Sequence, residues 1–240
     1  MQSRRLLLLG SSRVFGGGFL EHAAEEIRRL FRGRRRVLFV PYAVHDLDGA
    51  AEQARRRLAP LGLEVDSAYA AGDPARAVRD AEGIFVGGGN TFRLLDALQR
   101  LGLVAAIRDC VEAGAPYLGS SAGAIVAGPT LKTTKDMPVV EPASFDALGL
   151  VPFQISPHYL DPDPYSTHMG ETQEERIRQY HEENALPVAG IREGAMLRGE
   201  SGEVTLCGTA GVRIFRRGLE PVEASPVRRV DALLRADGPS

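Results

Sequence analysis

The feature that most constrains this chain is an alternation, along its first half, of short apolar runs with segments of helical spacing. Leu6-Leu7-Leu8-Leu9 is the first run, Val37–Val40 the second, residues 63–70 a third and Ile84-Phe85-Val86 a fourth, while Tyr117-Leu118 belongs to a fifth. Between them, Phe19, Leu20, Ala23, Ala24, Ile27, Leu30 and Phe31 recur on one helical face. Residues 50–58, 75–81, 91–98 and 103–113 also read as helices. A strand that is apolar on both faces must be covered on both. The pattern therefore predicts an α/β fold, a three-layer sandwich with a mostly parallel central sheet. In such sheets ligands bind beyond the carboxyl ends of the strands, which directs attention to the loops after the fourth and fifth strands.

After residue 130 the pattern is less regular. Proline is frequent from 138 to 164, residues 169–180 read as a charged helix, and residues 188–191, 195–198, 204–207 and 212–215 read as short strands. No repeat, low-complexity tract or linker divides the chain, so a single domain over residues 1–240 is expected. With 240 residues, 44% of them hydrophobic, the chain can bury a large core without staples. Cys110 and Cys207 have no CxxC spacing, which argues against a disulfide framework or a cysteine zinc site; both read as small core residues. A net charge of −2 gives the whole molecule no electrostatic reason to bind nucleic acid. The cluster Arg28, Arg29, Arg32, Arg34, Arg35 and Arg36 reads as a helix C-terminus and a solvated turn. No apolar run is long enough to span a membrane, and residues 1–9 are too short for a signal peptide. A cytoplasmic protein with no membrane partner is expected.

Gly119-Ser120-Ser121-Ala122-Gly123 fits G-x-S-x-G, with a strand before it and a helix-compatible segment, residues 124–127, behind. That context suits a sharp turn that lifts the Ser121 hydroxyl out at the top of a sheet. Ser120 points elsewhere and is assigned no chemistry. A helix starting at Ala122 offers backbone donors to an oxyanion. Gly87-Gly88-Gly89-Asn90-Thr91 fails as a dinucleotide fingerprint, because Phe92 stands where the last glycine is needed, and it lacks the lysine of a P-loop. It reads either as a turn capped by Asn90 or Thr91, or as a second wall of the site whose Gly88 and Gly89 donate to the oxyanion.

Serine needs a base. Of five histidines, His22 and His181 read as surface residues in charged helical surroundings, and His168 as a loop residue. His45 and His158 are left as candidates. His158 follows a strand-like segment, Ile155-Ser156-Pro157, and proline fixes its approach. Pairing of His158 with His168 around a metal lacks supporting ligand spacing, so no metal is expected. Asp136 and Glu193 are the candidate acids to fix the imidazole tautomer.

These residues resemble a known family, the aspartyl dipeptidases (peptidase E) of the serine peptidases related to cyanophycinase. The resemblance runs from Leu6 to about Phe215. It is carried by Val86-Gly87-Gly88-Gly89-Asn90-Thr91-Phe92, the Ser-Ala-Gly of the elbow, Asp136-Met137-Pro138, Phe145-Asp146-Ala147-Leu148, Pro157-His158, Gly170-Glu171-Thr172 and Glu193-Gly194. It implies a class I glutamine amidotransferase-like fold, with Ser121 as nucleophile and His158 as base. Both acids have been proposed as third member in the family; the expectation here is Glu193, with Asp136 shaping the pocket. It further implies hydrolysis of dipeptides with N-terminal aspartate. The chemistry calls for no cofactor, and the sequence gives no oligomeric state, although a homodimer is the commonest assembly. Comparable family members carry an arginine directly after Gly-Glu-Thr, suited to the substrate carboxylate. Here Gln173 occupies that place and Arg176 lies one turn on, so both are expected near the substrate. Other readings of the same scaffold are an amidohydrolase of different specificity, for instance for β-aspartyl bonds, and a silent ligand-binding protein.

Overall fold

The computed structural model describes residues 4–167 and 169–235. Its main sheet has seven strands. Five are parallel: β3 (Glu64–Ser67), β2 (Arg36–Val40), β4 (Ile84–Val86), β5 (Tyr117–Ser120) and β1 (Leu6–Leu9), side by side in that order. β8 (Ala195–Glu200) then pairs antiparallel with β1, and β9 (Glu203–Gly208) with β8 as a hairpin.

The period-two geometry of β1 explains its run of four leucines. Leu6 and Leu8 face one core with Val86 and Tyr117, whereas Leu7 and Leu9 face the other with Phe39, Phe85 and Leu118. On the second side lie α1 (Ala24–Leu30) and α2 (Leu47–Leu58), which contribute Ile27, Leu30, Ala51, Ala54 and Leu58. On the first lie α3 (Pro74–Arg79), α4 (Thr91–Arg100), α5 (Leu103–Glu112) and α6 (Ala122–Ile125). The sheet is thus the middle of three layers. The cysteines are buried on opposite sides of it, Cys110 in the first core and Cys207 in the second, and burial pushes both thiols up.

Several boundaries differ from expectation. The first helix was expected from residue 19, but Leu20 adopts φ 53 and its N–H bonds to Ser12 O, so residues 19–23 are turns. The third strand ends at Ser67, where its pairing with β2 ends, and Ala68–Ala70 is a 3-10 turn. α2 starts earlier, at Leu47, because Asp46 caps it through the Gly49 N–H. The helix behind the elbow is only one turn long and gives way to Gly128-Pro129. The charged helix is α7 (Gln173–Glu183), entered through a reciprocal capping box of Thr172 and Glu175.

A second sheet also forms, absent from the sequence expectation: β11 (Val222–Ala224), β10 (Val212–Phe215), β7 (Val188–Ile191) and β6 (Gln154–Pro157), in that order. β6 and β7 are parallel, so both deliver their following loops, with His158 and Glu193, at the same end. Gly10, just past β1, ties the sheets together: its oxygen accepts the His158 N–H at 3.2 Å, and a Cβ there would lie 2.5 Å from Arg192 O.

Candidate active site

Ser121 follows β5 with φ 52 and ψ −110, a backbone state that costs about 1–3 kcal/mol in a non-glycine residue. The fold holds it there on three sides. Its N–H bonds to Leu9 O at 3.1 Å. A Cβ on Gly119 would meet Gly123 O at 2.5 Å, and one on Gly123 would meet Val86 O at 2.1 Å, so the turn closes only with glycine at both places. The buried Tyr117 hydroxyl donates to Gly123 O at 2.6 Å and fastens the turn from beneath. Ser120 is fully buried and turned away from this surface.

The Ser121 Oγ lies 2.9 Å from His158 Nε2, and His158 Nδ1 lies 3.1 Å from Glu193 Oε1. With Nδ1–H donating to the carboxylate, Nε2 carries the lone pair that accepts the serine proton. His158 itself has φ 50. Its oxygen accepts bonds from Lys135 Nζ at 3.2 Å and Gln173 Nε2 at 3.1 Å. Glu193 sits in the turn from β7 to β8, which Gly194 completes at φ 82. Neighbouring Arg192 pairs with Asp161 and Glu223 at 2.6–2.9 Å, pinning the loop after His158, and holds the Asp161 carboxyl below its usual range.

The sequence-derived site residues divide. Ser121, His158, Gly88, Gly89 and Asp136 line one cavity of about 430 Å³. A Cβ on Gly88 would lie 3.2 Å from the Ser121 Cβ. The N–H of Ala122, at the first position of α6, has no acceptor within the helix. Asp136 does not meet His158: its Oδ2 accepts from the Thr91 N–H at 2.7 Å and the Thr91 hydroxyl at 2.6 Å. Asn90 caps α4 through Oδ1 and donates from Nδ2 to Met137 O. Its side chain thus fixes the loop rather than facing a ligand. Gln173, expected at the substrate, is bonded at both ends to the backbone of the His158 loop, accepting from Leu160 N as well as donating to His158 O. Arg176 lines a different, smaller cavity and lies 3.7 Å from Glu171. His45 is exposed at the entry to α2. The two histidines read as surface residues are not: both ring nitrogens of His22 are buried, and His181 is buried with Nε2 3.1 Å from Leu186 O. His168 lies outside the described residues.

Sequence reasoning passed over Arg13, Phe19 and Gln53, which also line the cavity. The signal for Arg13 was available: it lies just past the carboxyl end of β1, beside the elbow strand.

The model of peptidase family S51 matches residues 6–207. A relative named Peptidase E, from Streptomyces coelicolor, is 49% identical over 97% of this chain and 96% of its own. One named "Probable alpha-aspartyl dipeptidase", from Drosophila melanogaster, is 44% identical over 97% of this chain and 98% of its own. The solved structure of a peptidase from an acI-B1 Actinobacterium superposes with a TM-score of 0.71 over 95% of this chain and 96% of that one; at 20% identity it speaks for the fold alone.

Proposed function

The chain belongs to peptidase family S51, a serine-type peptidase, and we propose that it hydrolyses dipeptides with N-terminal aspartate through an acyl-enzyme on Ser121. The observation that carries the mechanism is the unbroken relay from Ser121 Oγ through His158 to Glu193, opening into one cavity. Ser121 attacks the peptide carbonyl while His158 Nε2 takes its proton. Glu193 holds Nδ1–H and stabilises the imidazolium that forms. Ser121's own N–H is bonded to Leu9 O. The oxyanion is therefore assigned to the Ala122 N–H at the start of α6 and to the amides of Gly88 and Gly89 across from it. His158 returns the proton to the leaving amine as the C–N bond breaks. Water then adds to the ester with His158 again as base, releasing aspartate. Asp136 serves as a pocket wall held against α4. The same reading makes the five parallel strands and the elbow after β5 class I glutamine amidotransferase-like. It also places the work in the cytoplasm, where two unpaired buried thiols suit a reducing compartment.

The test is hydrolysis of Asp-Leu against Asn-Leu, Glu-Leu and Leu-Leu, with Ser121→Ala as control. Asp-Leu is expected to be cleaved fastest, and Ser121→Ala to lose several orders of magnitude, on the order of 10⁴-fold or more. Retained cleavage in Ser121→Ala would refute the nucleophile. Serine-dependent cleavage without the aspartate preference would refute the substrate.

A further inference from the structure

We propose that Arg13 reads the side-chain carboxylate of the substrate's N-terminal aspartate. The inference rests on the dipeptidase reading above and names the contact behind its specificity. A buried or half-buried carboxylate needs a charged or multiply donating partner, and a guanidinium fork is the one that fits it with two parallel bonds. Gln173 stands where such a residue was expected, but both ends of its amide hold the backbone of His158 and Leu160.

The other cations nearby are engaged. Arg176 is paired with Glu171, Arg192 with Asp161 and Glu223, Arg213 with Glu174, and Lys135 with His158 O. Arg13 differs. It lines the same cavity as Ser121, His158, Gly88 and Gly89, and is the one arginine or lysine among the described residues that do so. Among the described residues it has no ion pair; its guanidinium lies 5.9 Å from the centre of the Phe19 ring, itself part of the cavity wall. An arginine placed against an aromatic face keeps its N–H fork open for an anion. Its backbone is anchored by the bond from its N–H to Ser11 Oγ at 3.1 Å, four residues past the end of β1. A cavity of about 430 Å³ between this loop and the nucleophile is of the size a dipeptide needs.

The experiment is kcat/KM for wild type, Arg13→Gln, Arg13→Lys and Gln173→Met on Asp-Leu, Asn-Leu and Leu-Leu. Removing one charge-assisted contact should lower Asp-Leu cleavage by Arg13→Gln about 10- to 100-fold, with Asn-Leu and Leu-Leu within about twofold of wild type. Arg13→Lys should fall between, since it restores the charge without the fork. Gln173→Met should lower all three together, because it loosens the His158 loop rather than a substrate contact. Thermal melting checks that Arg13→Gln is folded, as expected for an exposed side chain. If wild type prefers Asp-Leu and Arg13→Gln keeps the ratio, or loses all three substrates alike, the assignment to Arg13 is overturned while the dipeptidase reading stands. If wild type shows no preference for Asp-Leu over Asn-Leu, both are overturned.

Discussion

The two acids near the site sit in different chemical situations. Glu193 faces His158 Nδ1, half exposed, at 3.1 Å; Asp136 faces the first turn of α4 and takes two bonds from Thr91. A carboxylate at a helix N-terminus is stabilised by the unsatisfied amides there, so Asp136 is a clasp between residues 134–137 and the glycine loop. Glu193→Gln is expected to lower kcat by roughly 10²-fold or more, because the imidazole loses the acceptor that fixes its tautomer. Asp136→Asn is expected to lower stability by about 1–2 kcal/mol with a much smaller fall in kcat. Steady-state kinetics and urea melts on both variants check this. An inactive Asp136→Asn beside a near-wild-type Glu193→Gln would reverse the roles. The expectation of Glu193 did not rest on local sequence, since each position is an acid in a turn and nothing local says which one a distant imidazole will meet.

At the scale of elements, the glycine pattern of the elbow was legible because its cause is local. The strand must turn into a helix with backbone against backbone, and a Cβ on Gly123 would lie 2.1 Å from Val86 O. The role of α7 was not legible in the same way. Its capping box sets where the helix starts, and that start carries Gln173 to the underside of the His158 loop. Thr172→Ala should therefore cost about 1 kcal/mol of stability. It should also reduce kcat/KM on every dipeptide by a similar factor, as the Gln173 brace loosens. Denaturant melts alongside the substrate series measure both, and a substrate-selective loss would contradict this account of α7.

For the whole molecule, two histidines couple folding to pH. His22 and His181 both have pKa values lowered from the ordinary 6.5, chiefly by burial, with nearby Arg57 adding to the effect at His22. Their folded forms stay neutral where the unfolded chain already takes up protons. Stability is then full above about pH 6.5 and falls as pH drops from there through the lowered folded values. Asp161, Glu82 and Glu175 have lowered values too, but act only at the more acid pH where carboxylates titrate. The urea midpoint should accordingly decrease between pH 7.5 and 5.5, and His22→Leu should flatten that slope. A midpoint that rises over the same interval would show that neither ring is held neutral.

The sequence by itself determined the parallel core, the serine elbow and the short list of bases and acids. Each follows from a periodicity of two or 3.6 or from a turn only glycine allows, and these are properties of neighbouring residues. The tertiary structure alone decided the rest. Two sheets meeting at Gly10 bring His158 and Glu193, 35 residues apart, to one serine. Gln173 is bonded to backbone, Asp136 is turned toward α4, and Arg13 lines the cavity with no ion pair among the described residues. Which polar side chain stays unpaired depends on every other pairing around it, and that competition is settled between segments far apart in the chain.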